Sequence, residues 1–277
     1  MLCRFPVVLF AVAVALLVRP APALGFDKIH GAHGAHPKAN YDSLFAAATP
    51  LERSEAGRAA IAACLEAYGG REHLKTLRSY RLRWRMLPMM AQDSIDVVKA
   101  YSADRRARST RETSRGPVTT GLSGARAWYQ DRDTSFVTSD SGQYRGELYA
   151  YLTLALPFVL ETGPFREVRY GLRTGDSLAY LYCRVSDSLT VVVGIDPRDH
   201  RVRSSEGVVR QGAQKLVFVN RFSDFRQRHG YWFPHHLVNI SMGLEVGRSS
   251  LAEVDVNLPE KELRLEPEEP TKPRRRL

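Results

Sequence analysis

The sequence predicts a mainly β protein of α+β type, an antiparallel, incompletely closed barrel of about ten strands with helices packed on the concave face. Three observations predict it. From Leu189 to Asn257, strand and turn signals follow one another with no helix between them. Ser79 to Met86 alternates cleanly, with Tyr80, Leu82, Trp84 and Met86 on one face and Arg81, Arg83 and Arg85 on the other. That is the period of a strand with one buried and one wet face. Only two stretches of the remaining chain carry helical spacing.

Taken in order, residues 1–23 read as a signal peptide. Arg4 precedes an apolar run from Phe5 to Val18, and Ala21-Pro22-Ala23 offers the small-x-small cleavage pattern. The run is too short for a stable membrane span. Cys3 lies before it and no cysteine follows closely, so the expectation is export to the periplasm without a lipid anchor. Leu24 to Ala48 reads as a flexible His/Gly/Ala-rich leader. Its His30, His33 and His36 have a spacing that can chelate transition metals, but such a tract supplies no preorganised second shell, and no metal site is expected.

Thr49-Pro50-Leu51-Glu52 has the cap, first-turn proline and third-position glutamate of a helix start. Ala60, Ile61, Cys64, Leu65 and Tyr68 supply the stripe, and Gly69-Gly70 the stop. Strands are expected at 79–86, 94–101, 106–113, 117–122, 125–130 and 135–138. The second helix runs from Tyr144 to Val159 and is interrupted at Pro157. Strands resume at 166–173 and 177–186, then continue through the C-terminal series. The domain is expected to span 49–267, and 268–277 to be a basic Pro/Arg tail.

Composition narrows the function. The chain has 277 residues, a net charge of +10 and a hydrophobic fraction of 44%, ample for a core. Signal cleavage removes Arg4 and Arg19 and no acid. The remaining arginines recur at alternate strand positions, as on solvated faces, so no nucleic-acid partner is expected. Cys64 and Cys183 survive cleavage, and an oxidising compartment permits a bridge between them, which the sequence leaves open. No CxxC occurs.

No G-x-S-x-G, Walker loop, H-E-x-x-H or paired-glycine fingerprint is present, so no catalytic residue and no cofactor is assigned. His235 and His236 adjoin and point to opposite faces of a strand. His200, His229 and His235 with Asp196 or Asp224 are the residues a hydrolase would need to bring together. They also read as turn and strand-end residues in water.

The functional signal is distributed over one apolar face. Candidate ligand-binding residues are Tyr80, Leu82, Trp84, Met86, Trp128, Tyr180, Tyr182 and Phe218 on the sheet. Leu152 and Leu156 lie on the second helix, the candidate lid. Each residue also has an ordinary reading as core. A sheet curled around helices that do not fill it encloses a cavity for one lipid-like ligand.

The order of the Asp196-Pro197 turn, Phe222-x-Asp224-Phe225-Arg226, Gly230-Tyr231-Trp232-Phe233-Pro234 and a strand ending Val256-Asn257 resembles the outer-membrane lipoprotein-sorting superfamily (LolA/LolB-like). Leu65 to Leu74, a helix end, Gly-Gly and the approach to the first strand, is similar to that superfamily's opening. The resemblance implies an exported, monomeric, non-catalytic protein that holds a lipid, acyl chain or lipoprotein acyl group. The alternative is an envelope sensing module that docks a protein partner on the same fold; a hydrolase comes third.

Overall fold

In the computed structural model, residues 40–89, 91–138, 146–148, 151–152, 159–211 and 214–267 are described. Strand β2 (Ser79–Pro88) shows how the sheet is built. Tyr80, Leu82 and Trp84 expose 3, 3 and 2% of their surface, while the arginines between them face outward. Each arginine meets an acid on a neighbouring strand: Arg81 with Asp255 at 2.8 Å, Arg83 with Glu253 at 3.2 Å, Arg85 with Asp96 at 3.9 Å. These are also the register partners, so the charges reinforce the pairing. Exposed pairs of this kind contribute at most about 1 kcal/mol each.

Two meanders make up the sheet. The first continues from β2 through β3 (Ile95–Ser102), β4 (Arg106–Arg111), β5 (Val118–Ser123), β6 (Arg126–Gln130) and β7 (Ser135–Thr138). The second comprises β8 (Glu167–Leu172), β9 (Ala179–Ser186), β10 (Leu189–Ile195), β11 (Val202–Gln211), β12 (Gln214–Arg228), β13 (Tyr231–Ser241) and β14 (Leu244–Val256). β14 pairs with β2 from Gly247↔Pro88 to Val256↔Tyr80 and joins the two. A two-residue strand, β1 (Thr49–Pro50), adds to the edge of β8. Every pairing is antiparallel, and β1 and β7 end the series without meeting, so the sheet stays open.

Fourteen strands laid flat would span about 65 Å. Instead, Leu82 of β2, Leu122 of β5, Cys183 of β9 and Phe222 of β12 belong to one buried cluster with Ile61, Cys64, Leu65 and Tyr68. The first three lie on helix α2 (Glu55–Ala67), which is only about 20 Å long, and Tyr68 follows at its C-cap. The sheet therefore curls around the helix. Its concave side also holds Leu74 of α3 (Arg71–Lys75) and Leu148, Tyr151, Leu152 and Val159. Of these last four, Val159 begins α4 (Val159–Thr162), and the described residues 146–148 and 151–152 are helical as well. The expected antiparallel, unclosed barrel with internal helices is the observed architecture.

Several boundaries differ from expectation. Fourteen strands rather than about ten occur among the described residues, because long edge-to-edge meanders and the short β1 extend the sheet. Thr49 does not cap a helix: Thr49 and Pro50 pair with Tyr170 and Arg169, and proline is tolerated there because β1 is an edge. Helix α2 starts later, where the Ser54 side chain accepts from the Gly57 amide at 3.0 Å. The end of the expected leader, Tyr41–Ala47, forms a helix, α1, with Tyr41 and Phe45 buried. It covers the convex face, packing on Tyr180, Tyr182, Val192 and Val208. A last turn, α5 (Glu260–Leu263), packs Leu263 and the following Leu265 against Ala100 on that face too. The expected signal peptide, His30, His33, His36, Leu156, Pro157 and the expected tail 268–277 lie outside the described residues.

Candidate functional site

The concave face brings together six of the ten candidate residues. Tyr80, Leu82, Trp84 and Leu152 belong to the main core cluster, and the partly buried Met86 and Phe218 pack against it. Tyr80 stacks on its register partner Tyr101 with ring centroids 4.9 Å apart, and Tyr101 meets Tyr151 at 6.3 Å. The Tyr151 hydroxyl donates to the Ser102 carbonyl at 3.4 Å, tying the helical cover to β3.

Three candidates face the other way. Tyr180 and Tyr182 alternate with Leu181 and Cys183, which are the core members of β9, so the tyrosines point to the convex side. There α1 covers them, and Arg173 lies 3.9 Å from the Tyr180 ring centroid. Trp128 pairs with Gly121, whose neighbour Leu122 is in the core, which puts the indole on the convex face as well. A Cβ on Gly121 would sit 2.2 Å from that ring, so glycine is required beneath it.

Polar groups interrupt the apolar basin at defined points. Asn220 lies between Phe218 and Phe222 on the same face; it accepts from the Asn239 amide at 2.7 Å and donates to Ser205 at 3.5 Å. This ladder crosses β11, β12 and β13. Lys99, paired with Leu82 and set between Val97 and Tyr101, faces the basin from β3. Burial pushes its ammonium down to about 8, against the opposing charge of Glu147. Burial also raises the Glu147 carboxyl to about 7, although the Thr120 hydroxyl, Lys99 and Arg111 favour its charge. Two further polar atoms, Trp84 Nε1 and His235 Nε2, are buried with no hydrogen-bond partner.

Lys99, Asn220 and Asn239 were not singled out from the sequence. For two of them the signal was available: Lys99 stands between the inward Val97 and Tyr101, and Asn220 between the inward Phe218 and Phe222. Glu147 lay inside the expected helix, but its face could not be matched to Lys99 without the sheet register.

The histidines and aspartates of the hydrolase reading are held separately. Asp196 is chelated by Arg198 at 2.8 and 3.0 Å and approached by Arg203 at 3.5 Å. The Arg198 hydrogen bonds come first in holding its carboxyl down at about 2. Asp224 pairs with Arg226 at 2.6 Å and His236 at 3.4 Å. His229 Nε2 meets the Val254 carbonyl at 3.0 Å, and His200 is exposed in the turn after β10. His235 is buried, and burial leads the causes that lower its pKa, keeping the imidazole neutral at pH 7. Cys64 and Cys183 are free thiols within the core, both pushed up to about 12 by burial. No group of three or more metal-ligating side chains occurs among the described residues. Nor is any helix among them long and apolar enough to cross a membrane.

No family model matches the sequence, and no curated protein matches it. Among solved structures, the chain is similar to a LolA superfamily protein from Nitrosomonas europaea, with 14% identity, 72% of this chain and 95% of that chain covered, and a TM-score of 0.46. It is similar to a domain from Vibrio parahaemolyticus provisionally assigned as an outer membrane lipoprotein-sorting protein, with 14% identity, coverage of 68% and 89%, and a TM-score of 0.44. A DUF1329 family protein from Desulfovibrio piger matches at 7% identity, with coverage of 76% and 94% and a TM-score of 0.42.

Proposed function

We propose that this chain is an exported, periplasmic, non-catalytic binding protein that holds a lipid, an acyl chain or the acyl group of a lipoprotein between the curved sheet and its helices. One observation carries the reading. Apolar side chains from β2 to β5 and from β9 to β14 make up most of the concave face, with the Asn220 ladder and Lys99 set among them. Part of that face's cover, Leu148, Tyr151, Leu152 and Val159, rests on it through side chains rather than strand pairing. Displacing such a cover exposes apolar surface without breaking a β ladder. An acyl chain could replace it, since each buried methylene contributes about 0.8 kcal/mol. The Trp84, Leu82, Tyr80 and Leu152 side chains are the proposed walls.

Native mass spectrometry and solvent extraction of the purified mature chain test this. Co-purifying lipid, or saturable uptake of a hydrophobic dye, is the expected result. A protein that is free of ligand and takes up no dye overturns it.

A second reading, docking of an envelope protein, is favoured by a different observation. Leu87, Met89, Met242 and Leu244 expose 45, 61, 52 and 70% of their surface. They lie at one end of the sheet, where Arg248 pairs with Leu87 and Ser241 with Leu244. If docking is the function, Met89→Ser with Leu244→Ser abolishes activity in cells while leaving dye uptake unchanged.

A further inference from the structure

We propose that Trp84 and His235 form the polar end of the ligand basin and hydrogen-bond the oxygen of an acyl group, an ester carbonyl or a fatty-acid carboxyl. The proposal rests on the lipid-binding reading above and adds which part of the ligand is recognised.

The two side chains share one transverse row of the concave face. Trp84 pairs with Leu251 of β14, and the preceding Ser250 pairs with His236 of β13. His235 therefore stands on the far side of Leu251, two strand spacings or about 10 Å from Trp84 along the backbone. His235 alternates with Phe233 and Leu237, both core residues, so its ring points the same way as the indole. Trp84 exposes 2% and His235 6% of its surface.

Neither polar tip is satisfied, since Trp84 Nε1 and His235 Nε2 have no hydrogen-bond partner. An indole N–H can only donate, so Trp84 calls for an acceptor. A neutral imidazole supplies a second donor at Nε2 in one of its tautomers. His235 is kept neutral by burial first, then by Arg228, Arg226 and His236, against the opposing pull of Asp224. Buried donors in native proteins are almost always paired, so two orphans on one apolar face mark a place where a partner is to be supplied.

β12 supplies no hydrogen-bond partner to His235 Nε2. The residue opposite it is Asp224, between the pairs Ser223↔His236 and Phe225↔Pro234. Asp224 has a φ of 53° and directs its carboxylate to Arg226 and His236 instead. The nearby Lys99 has its charge opposed by Glu147, which sets it apart from the two neutral rings. Around them lie Leu82, Met86, Val97 and Leu251, suited to the hydrocarbon part of the same ligand.

The test uses the mature chain and three probes of equal chain length: palmitic acid, methyl palmitate and hexadecane. Each displaces a bound hydrophobic dye. The wild type is expected to prefer the oxygenated probes. Trp84→Phe and His235→Leu should each weaken the acid and the ester about tenfold relative to hexadecane, the usual effect of one buried hydrogen bond. Equal losses for acid and ester identify the carbonyl oxygen; a loss confined to the acid identifies the carboxyl. Unchanged discrimination in both variants overturns the proposal while dye uptake preserves the lipid-binding reading. No uptake of any probe by the wild type overturns both. Should either variant fail to fold, the indole N–H resonance of Trp84, one of three tryptophans, decides on the wild type. It should move with palmitate and not with hexadecane, and a resonance that ignores palmitate sinks the idea.

Discussion

Phe222 and Phe225 both reach the core, although three residues apart on a regular strand would put them on opposite faces. Between them stands Asp224, with a φ of 53°. The β12–β13 register runs unbroken across it, from Phe222↔Leu237 to Phe225↔Pro234, and Phe225 meets Tyr68 at the end of α2 edge-on, ring centroids 6.0 Å apart. The Phe-x-Asp-Phe pattern thus carries a left-handed step inside a paired strand, with aspartate there because its short polar side chain tolerates that region.

Asp224→Val should therefore destabilise the fold by about 2 kcal/mol, because a β-branched side chain is strained at positive φ. Asp224→Gly removes the strain and gives up only exposed ion pairs, so it should stay within about 1 kcal/mol of wild type. Urea melts of the two variants check this. Equal losses would mean that the carboxylate, not the backbone conformation, is what the fold needs at this position.

The sequence shows the β2 faces correctly because β2 is wet on one side: arginine and apolar residues alternate, and the sign of each face is explicit. β9 gives no such sign. Ala179 to Cys183 are all buried, since α2 and the core cover one side and α1 the other. With both faces apolar, period-two reading cannot say whether Tyr180 or Leu181 points inward. Trp128 is misleading for a related reason. Its face is set by Gly121 on the neighbouring strand, a relation that only register reveals. The helix α1 was legible from Tyr41, Leu44, Phe45 and Ala48, but the surrounding Gly/Ala/His composition outweighed that short stripe.

On the convex face, Arg173 and Glu206 form a bidentate pair at 2.7 and 2.9 Å, with side-chain exposures of 10 and 6%. Tyr41 of α1 closes over it, its phenol raised by burial and by the Glu206 carboxylate. Glu206→Ala leaves a buried guanidinium unpaired and should cost about 3–5 kcal/mol. Replacing both partners, Arg173→Met with Glu206→Leu, should recover most of that loss. Hydrogen exchange at the Leu44 and Phe45 amides should quicken in the single variant, because α1 is seated on the pair. Independent, additive losses in the two single variants would contradict this account.

Stability should fall on acidification partly through Asp196. Its carboxyl, held at about 2 by Arg198 and Arg203, ionises far below the ordinary 3.8 that the unfolded chain would show. A depressed folded pKa stabilises the native state above the unfolded value, and the contribution is lost as pH drops from about 4 through about 2. Asp196→Asn should be less stable than wild type at pH 7 and show a flatter acid limb in that window. Other lowered carboxylates, Asp42 and Asp104 among them, keep some slope. Parallel acid limbs for wild type and variant would assign the effect elsewhere.

Trp84 is the residue on which packing and recognition meet. Its ring is almost fully covered, paired across the sheet with Leu251 on one side and Val97 on the other. Removing so large a buried side chain loses its transfer free energy and leaves a cavity, so Trp84→Ala should cost about 3–5 kcal/mol. Trp84→Phe keeps most of the apolar contact and removes an N–H that has no protein partner, so its loss should be far smaller. Thermal and urea melts of both variants separate the two contributions. An alanine variant destabilised by less than about 1 kcal/mol would mean the ring already borders open space. Its melting point would then hardly move, while dye affinity would carry the whole effect.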